Sequence, residues 1–137
     1  MINTRALLLD SSFLLEYARG SWVSPAQVFV SEAVLENRIL VIPAVSLAVA
    51  AAELDGPLDD LRWLVDDPEG PISVLPLSLN ALDVGALAAS AGGPGAPDLG
   101  FAQVVQEARD IRALVVTYAA KDYVGQSINV IDMRRHQ

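Results

Sequence analysis

Ala6-Leu7-Leu8-Leu9-Asp10-Ser11-Ser12-Phe13-Leu14-Leu15 decides the fold. Ala6 to Leu9 is a continuous apolar run, the pattern of a short strand buried on both faces of a parallel sheet. The run stops on an acid, and Ser11 or Ser12 can cap a helix that continues to about Ala18. A buried strand that delivers a carboxylate at its C-terminal end is where α/β proteins place chemistry.

Beyond this stretch, strand and helix signals alternate. After a turn at Gly20, Pro25 opens a helix to about Asn37, with Val28, Val30, Val34 and Leu35 on its expected apolar side. Ile39 to Ile42 is a second strand stopped by Pro43, followed by a small-residue helix from Ala44 to Leu54, apolar almost all round and so expected to be buried. Pro57 opens a helix carrying Leu58, Leu61, Leu64 and Val65, which ends in the Asp67-Pro68-Glu69-Gly70-Pro71 turn. Ile72 to Leu75 is a third strand, and a helix from Ser78 or Asn80 reaches about Ser90. The Gly92-Gly93-Pro94-Gly95-Ala96-Pro97 loop precedes a helix from Asp98 to about Arg109, and Leu114 to Thr117 and Asn129 to Ile131 supply the last strands. Right-handed crossovers then predict one domain over residues 1–137: an α/β protein, a three-layer α/β/α sandwich with a mostly parallel sheet.

Composition narrows the chemistry. The 137 residues are 53% hydrophobic, enough for a real core, and contain no cysteine. Disulfides and thiolate metal sites are therefore excluded, and His136, the single histidine, leaves no cluster for zinc. A metal would have to be a hard cation held by carboxylates and water, such as magnesium or manganese. Nucleophilic triads lack a credible base, and Gly92 to Gly95 lacks the lysine and hydroxyl of a phosphate-binding loop. A net charge of −8 with nine scattered lysines and arginines opposes non-specific binding to nucleic acid. No segment is long and apolar enough to span a bilayer and no signal peptide is evident, so no membrane role and a cytoplasmic location are expected.

Three pieces in order, Asp10-Ser11-Ser12-Phe13-Leu14-Leu15, Ile42-Pro43-Ala44-Val45-Ser46-Leu47-Ala48 and Val115-Val116-Thr117 with Tyr123 six residues on, resemble the PIN domain over roughly Leu7 to Asp132. The resemblance implies a small α/β/α nuclease, often the toxin of a bacterial toxin–antitoxin pair, that cuts RNA with magnesium or manganese held by three or four acids. The physical need for such acids is clear, since they hold divalent cations that neutralise charge developing on the phosphodiester and activate the attacking water.

The acids thin out when they are matched position by position. Asp10 stands at the first, with the alternative role of capping the helix that follows it. The second, a glutamate of the third helix, falls on Val49, and Glu53 lies one turn further on the same face, about 5.4 Å away. The third falls on Phe101, with Asp98 three residues earlier at a helix start where an N-cap is the ordinary role. The fourth falls on Ala119, with Asp122 three residues later. Asp10, Asp98 and Asp122 are the candidate catalytic residues, and Asp10 and Asp98 the candidate metal ligands.

Two functions follow from this count. In the first, a PIN-like domain has lost most of its metal-binding acids and serves as a binding or interaction module. In the second, a magnesium- or manganese-dependent ribonuclease uses Asp10 and Asp98, with Asp122 or Glu53 completing the site. The resemblance also implies an antitoxin-like protein partner and a homodimer, with RNA as a partner only if the acidic site works. Trp22, Trp63 and the small residues of Ala44 to Ala52 are candidates for an apolar contact surface, although burial within the monomer is expected to account for most of them. Seven of the seventeen acids lie between Glu53 and Glu69, which reads chiefly as a solvated face.

Overall fold

A computed structural model of the chain describes residues 5–67, 70–91 and 98–136. The expected Gly92 to Pro97 loop and the Pro68-Glu69 part of the preceding turn lie outside the described residues. In chain order the elements are β1 (Leu7–Leu9), α1 (Ser11–Arg19), α2 (Pro25–Leu35), β2 (Leu40–Pro43), α3 (Ala44–Glu53), α4 (Asp59–Val65), β3 (Ile72–Leu75), α5 (Ala81–Ala91), α6 (Leu99–Ile111), β4 (Leu114–Thr117) and β5 (Asn129–Asp132). Short 3₁₀ turns follow the last two strands at Ala120–Tyr123 and Met133–His136.

All five strands are parallel, in the order β3-β2-β1-β4-β5. β1 is central, pairing Leu8 with Val41 of β2 on one side and with Val115 of β4 on the other. Its alternating side chains explain why three leucines in succession are needed. Leu7 and Leu9 enter a core with Phe13, Leu14, Val30, Leu61 and Leu64, whereas Leu8 enters a second core with Val41, Val104, Val105 and Val115. Helices α1, α2 and α4 supply the first core and α6 the second, with α5 packed on α6, so the chain is a three-layer α/β/α sandwich. Phe13 is wholly buried and meets Phe29 edge-on, with ring centroids 5.7 Å apart.

Three packing expectations are corrected. On α2 the buried residues are Ala26, Val30 and Ala33, while Val28, Val34 and Leu35 are exposed. The burial repeats at intervals of four and three, and alanines on that stripe let the helix approach closely; of the large apolar residues Val30 lies on it and Phe29 packs beside it. Helix α3 buries only Ser46 and Ala50, and Ala48 and Ala52 are exposed. It starts directly from the end of β2 and packs against both α1 and α6, so it straddles the two layers at the sheet's rim. Trp22 and Trp63 are 83% and 72% exposed rather than buried.

Candidate functional site

The strand order reverses direction at β1, whose neighbour β4 begins the second half of the sheet. In open α/β sheets the crevice beyond the carboxyl ends at such a point receives ligands. Asp10 follows β1 and Thr117 ends β4, so the two chain segments that frame this crevice are the ones the sequence marked.

Asp10 is only 3% exposed and serves three donors. Its Oδ1 accepts from the Phe13 backbone N–H at 3.0 Å, making it the N-cap of α1, and from the Ser12 hydroxyl at 2.7 Å. Its Oδ2 accepts from the Tyr123 hydroxyl at 2.7 Å. Because Ser12 gives its one proton to the carboxylate, Thr117 must donate in the 3.1 Å contact between the two hydroxyls. Ser12 Oγ also accepts from Tyr118 N–H and Thr117 Oγ1 from Ala119 N–H, each at 2.9 Å. The hydroxyls beside Asp10 thus tie α1 to the end of β4.

Tyr123 closes the arrangement from the 3₁₀ turn after β4. Its ring stacks on Phe101, with centroids 5.5 Å apart and planes inclined by 17°. Burial, the carboxylate of Asp10 beside it and the more distant Asp122 and Asp98 all push its pKa upward, so the phenol stays protonated and remains a donor.

A cleft of about 460 Å³ opens here, lined by Asp10, Ser46, Val49, Asp98, Phe101 and Tyr123 together with Glu53 and Asp122. The structure therefore gathers Asp10, Asp98, Asp122 and Glu53 around one cavity, and no basic side chain among the described residues lines it. Their settings differ. Asp98 is exposed and its Oδ1 accepts from Phe101 N–H at 2.9 Å, so it caps α6. Asp122 is exposed on its 3₁₀ turn, and Glu53 is exposed at the last residue of α3.

Val49 and Phe101 face the cleft from the positions where the resemblance puts the second and third acids, while Ala119 does not line it. A methyl group added at Gly100 would lie 3.5 Å from both the Val49 side chain and Asp98 Oδ1, so α3 and α6 approach through Val49 beside the Asp98 cap. The fit to a magnesium or manganese ion is poor. Such ions want several oxygen ligands converging at about 2.0–2.2 Å, and among the described residues no three Asp, Glu, His or Cys side chains form a group able to hold one. Asp10, the one buried acid among the described residues, accepts two hydrogen bonds on Oδ1 and holds a phenol on Oδ2.

Gln103 is the residue that sequence reasoning missed. It is fully buried; its Oε1 accepts from Val45 N–H at 2.9 Å and its Nε2 donates to the Leu75 carbonyl at 3.1 Å. Pro43 precedes α3 and offers no side-chain cap, so Gln103 caps that helix from α6 while tethering the end of β3. A glutamine between Ala102, Val104 and Val105, on an otherwise apolar stretch, is the signal that could have found it.

The fold and its switch-point cleft place the architecture in the class of PIN-like α/β/α sandwiches. Solved structures similar to it include the following two. FitAB bound to an IR36 DNA fragment is 17% identical, with a TM-score of 0.59 over 93% of this chain and 95% of that one. FitAcB from Neisseria gonorrhoeae is 15% identical, with a TM-score of 0.60 over 93% of this chain and 98% of that one. At these identities the likeness establishes the fold. No protein-family model matches the sequence, and no curated protein does. Among the described residues no helix is long and apolar enough to cross a membrane.

Proposed function

We propose that the chain is a PIN-like domain, related to the ribonucleases of toxin–antitoxin pairs, that acts as a binding module instead of a metal-dependent nuclease. The observation that carries this reading is the state of Asp10: the one acid buried at the switch point is engaged by a helix cap, a serine and a tyrosine. Val49 and Phe101, at two other family acid positions, turn apolar groups toward the same cleft. What these residues do is hold shape. Asp10 fixes α1, Asp98 fixes α6, and Phe101 and Tyr123 wall the cavity between them.

The proposed partner is an antitoxin-like protein, a reading supported by the likeness to FitAB on DNA and by large exposed apolar side chains such as Leu35 and Trp63. We propose a homodimer on the resemblance alone; light scattering that finds only a monomer would remove that part.

The test is manganese calorimetry on chelator-free wild type and Asp10→Asn, paired with an RNA-cleavage assay. The module reading expects neither protein to bind manganese at millimolar concentration and neither to cut RNA. Manganese binding and cleavage that both vanish in Asp10→Asn would overturn it in favour of the second reading, a magnesium- or manganese-dependent ribonuclease using Asp10, Asp98 and Asp122. One observation favours that alternative: these three acids and Glu53 do border a single cleft.

A further inference from the structure

We propose that Tyr123 is a positioning residue that closes the cleft to divalent cations, its phenolic proton standing on the Asp10 oxygen that would otherwise take a charged ligand. The inference rests on the module reading above and supplies its physical device.

The two oxygens of the carboxylate are not equivalent. Oδ1 already accepts two hydrogen bonds, from Ser12 and from the Phe13 backbone, and cannot leave them without uncapping α1. Oδ2 accepts from Tyr123 OH at 2.7 Å, a length typical of a strong hydrogen bond to a charged acceptor. A cation entering the cleft would have to displace that proton donor from a site almost closed to water.

The donor is held from behind. Tyr123 is 7% exposed, within the core that contains Leu8, Val104 and Val115, and its ring lies against Phe101. Phe101 therefore has two effects: it puts an aromatic ring where the resemblance expects an acid, and it braces the phenol that occupies the remaining one. A neutral donor satisfies the buried carboxylate without the several converging acids a divalent ion needs.

Tyr123→Phe isolates the effect, because it keeps the ring and its stacking and removes only the proton donor. Manganese is titrated calorimetrically into chelator-free wild type, Tyr123→Phe and the Asp10→Asn/Tyr123→Phe double variant. The expected result is manganese affinity at least about 10-fold higher in Tyr123→Phe than in wild type, as for loss of one competing charge-assisted hydrogen bond, with the gain abolished in the double variant. Equal affinity in wild type and Tyr123→Phe, including no binding in either, overturns the closure while leaving the module reading standing. A gain that survives Asp10→Asn overturns it too, because the ion would then sit elsewhere. Wild-type binding lost in Asp10→Asn instead overturns the module reading itself. If Tyr123→Phe unfolds before titration, the same three titrations are run at lower temperature, where the same outcomes decide.

Discussion

Replacing Gln103 by leucine tests whether one buried amide holds the rim of the sheet together. The side chain is fully buried, so leucine fills roughly the same space and the change is chiefly a loss of two hydrogen bonds. What remains is a backbone donor, Val45 N–H, and a backbone acceptor, the Leu75 carbonyl, both without the partner the amide gave them. Each buried group left unpaired costs about 1–3 kcal/mol, and removing the amide's own desolvation returns about 1, for a net loss of about 1–5 kcal/mol. With an unfolding entropy of about 2.1 cal/mol/K per residue, each kcal/mol lowers Tm by about 3–4 °C in a chain of 137 residues. The expected fall in Tm is roughly 3–18 °C. Calorimetry reads this directly, and hydrogen exchange adds a local check: the Val45 amide should exchange faster than its helix neighbours, since Pro43 gives α3 no alternative side-chain cap. A variant within about 0.5 kcal/mol of wild type with an unchanged Val45 amide would refute the capping role.

Two smaller expectations follow from the same region. Gly100→Ala adds a methyl group at ordinary contact distance, 3.5 Å, from Val49 and Asp98 Oδ1 in the first turn of α6, so it should stabilise the fold by about 0.5–1 kcal/mol; urea unfolding that shows a loss of similar size would mean the α3–α6 contact has no slack. For pH, the Tyr123 phenol has a folded pKa raised above its ordinary 10.0, so the unfolded chain loses this proton first and stability falls as pH rises beyond that value. Tyr123→Phe should flatten part of that decline in urea midpoints measured across roughly pH 9 to 11, while Tyr17, whose pKa burial also raises, still contributes to it; an unchanged slope would refute the assignment.

The order of elements was legible because a parallel sheet imposes it locally. A run such as Leu7-Leu8-Leu9 has no polar face to offer, and only a strand covered on both sides accommodates it. Helix faces were harder. On α2 the residues that look apolar, Val28, Val34 and Leu35, stand out to solvent, while Ala26 and Ala33 make the close packing with Val30. Small residues contribute little to a hydrophobicity pattern and much to how near two elements can come. The tryptophans mislead for a related reason: apolar residues fill interiors, yet an apolar residue need not be inside, and Trp22 lies in the connection between α1 and α2 rather than on a packed face.

The site was legible where chemistry depends on chain-adjacent residues and obscure where it depends on tertiary pairing. Asp10 with Ser11 and Ser12 announces a capped helix at a strand end, and the structure adds that Ser12 reaches across to Thr117. Nothing in the local sequence states that Tyr123, 113 positions away from Asp10, donates to its carboxylate, or that Phe101 braces the ring. Counting acids along the chain finds the positions that lack one, but it does not reveal what occupies the oxygens of the acid that remains. That occupancy separates two proteins with the same acid count: in one Asp10 waits for an ion, and in the other it is a structural acceptor whose donors come from the protein itself. The proposed reading takes Asp10 as the second, held by the Ser12, Phe13 and Tyr123 donors, and replacing a single phenolic hydroxyl by hydrogen tells the two apart.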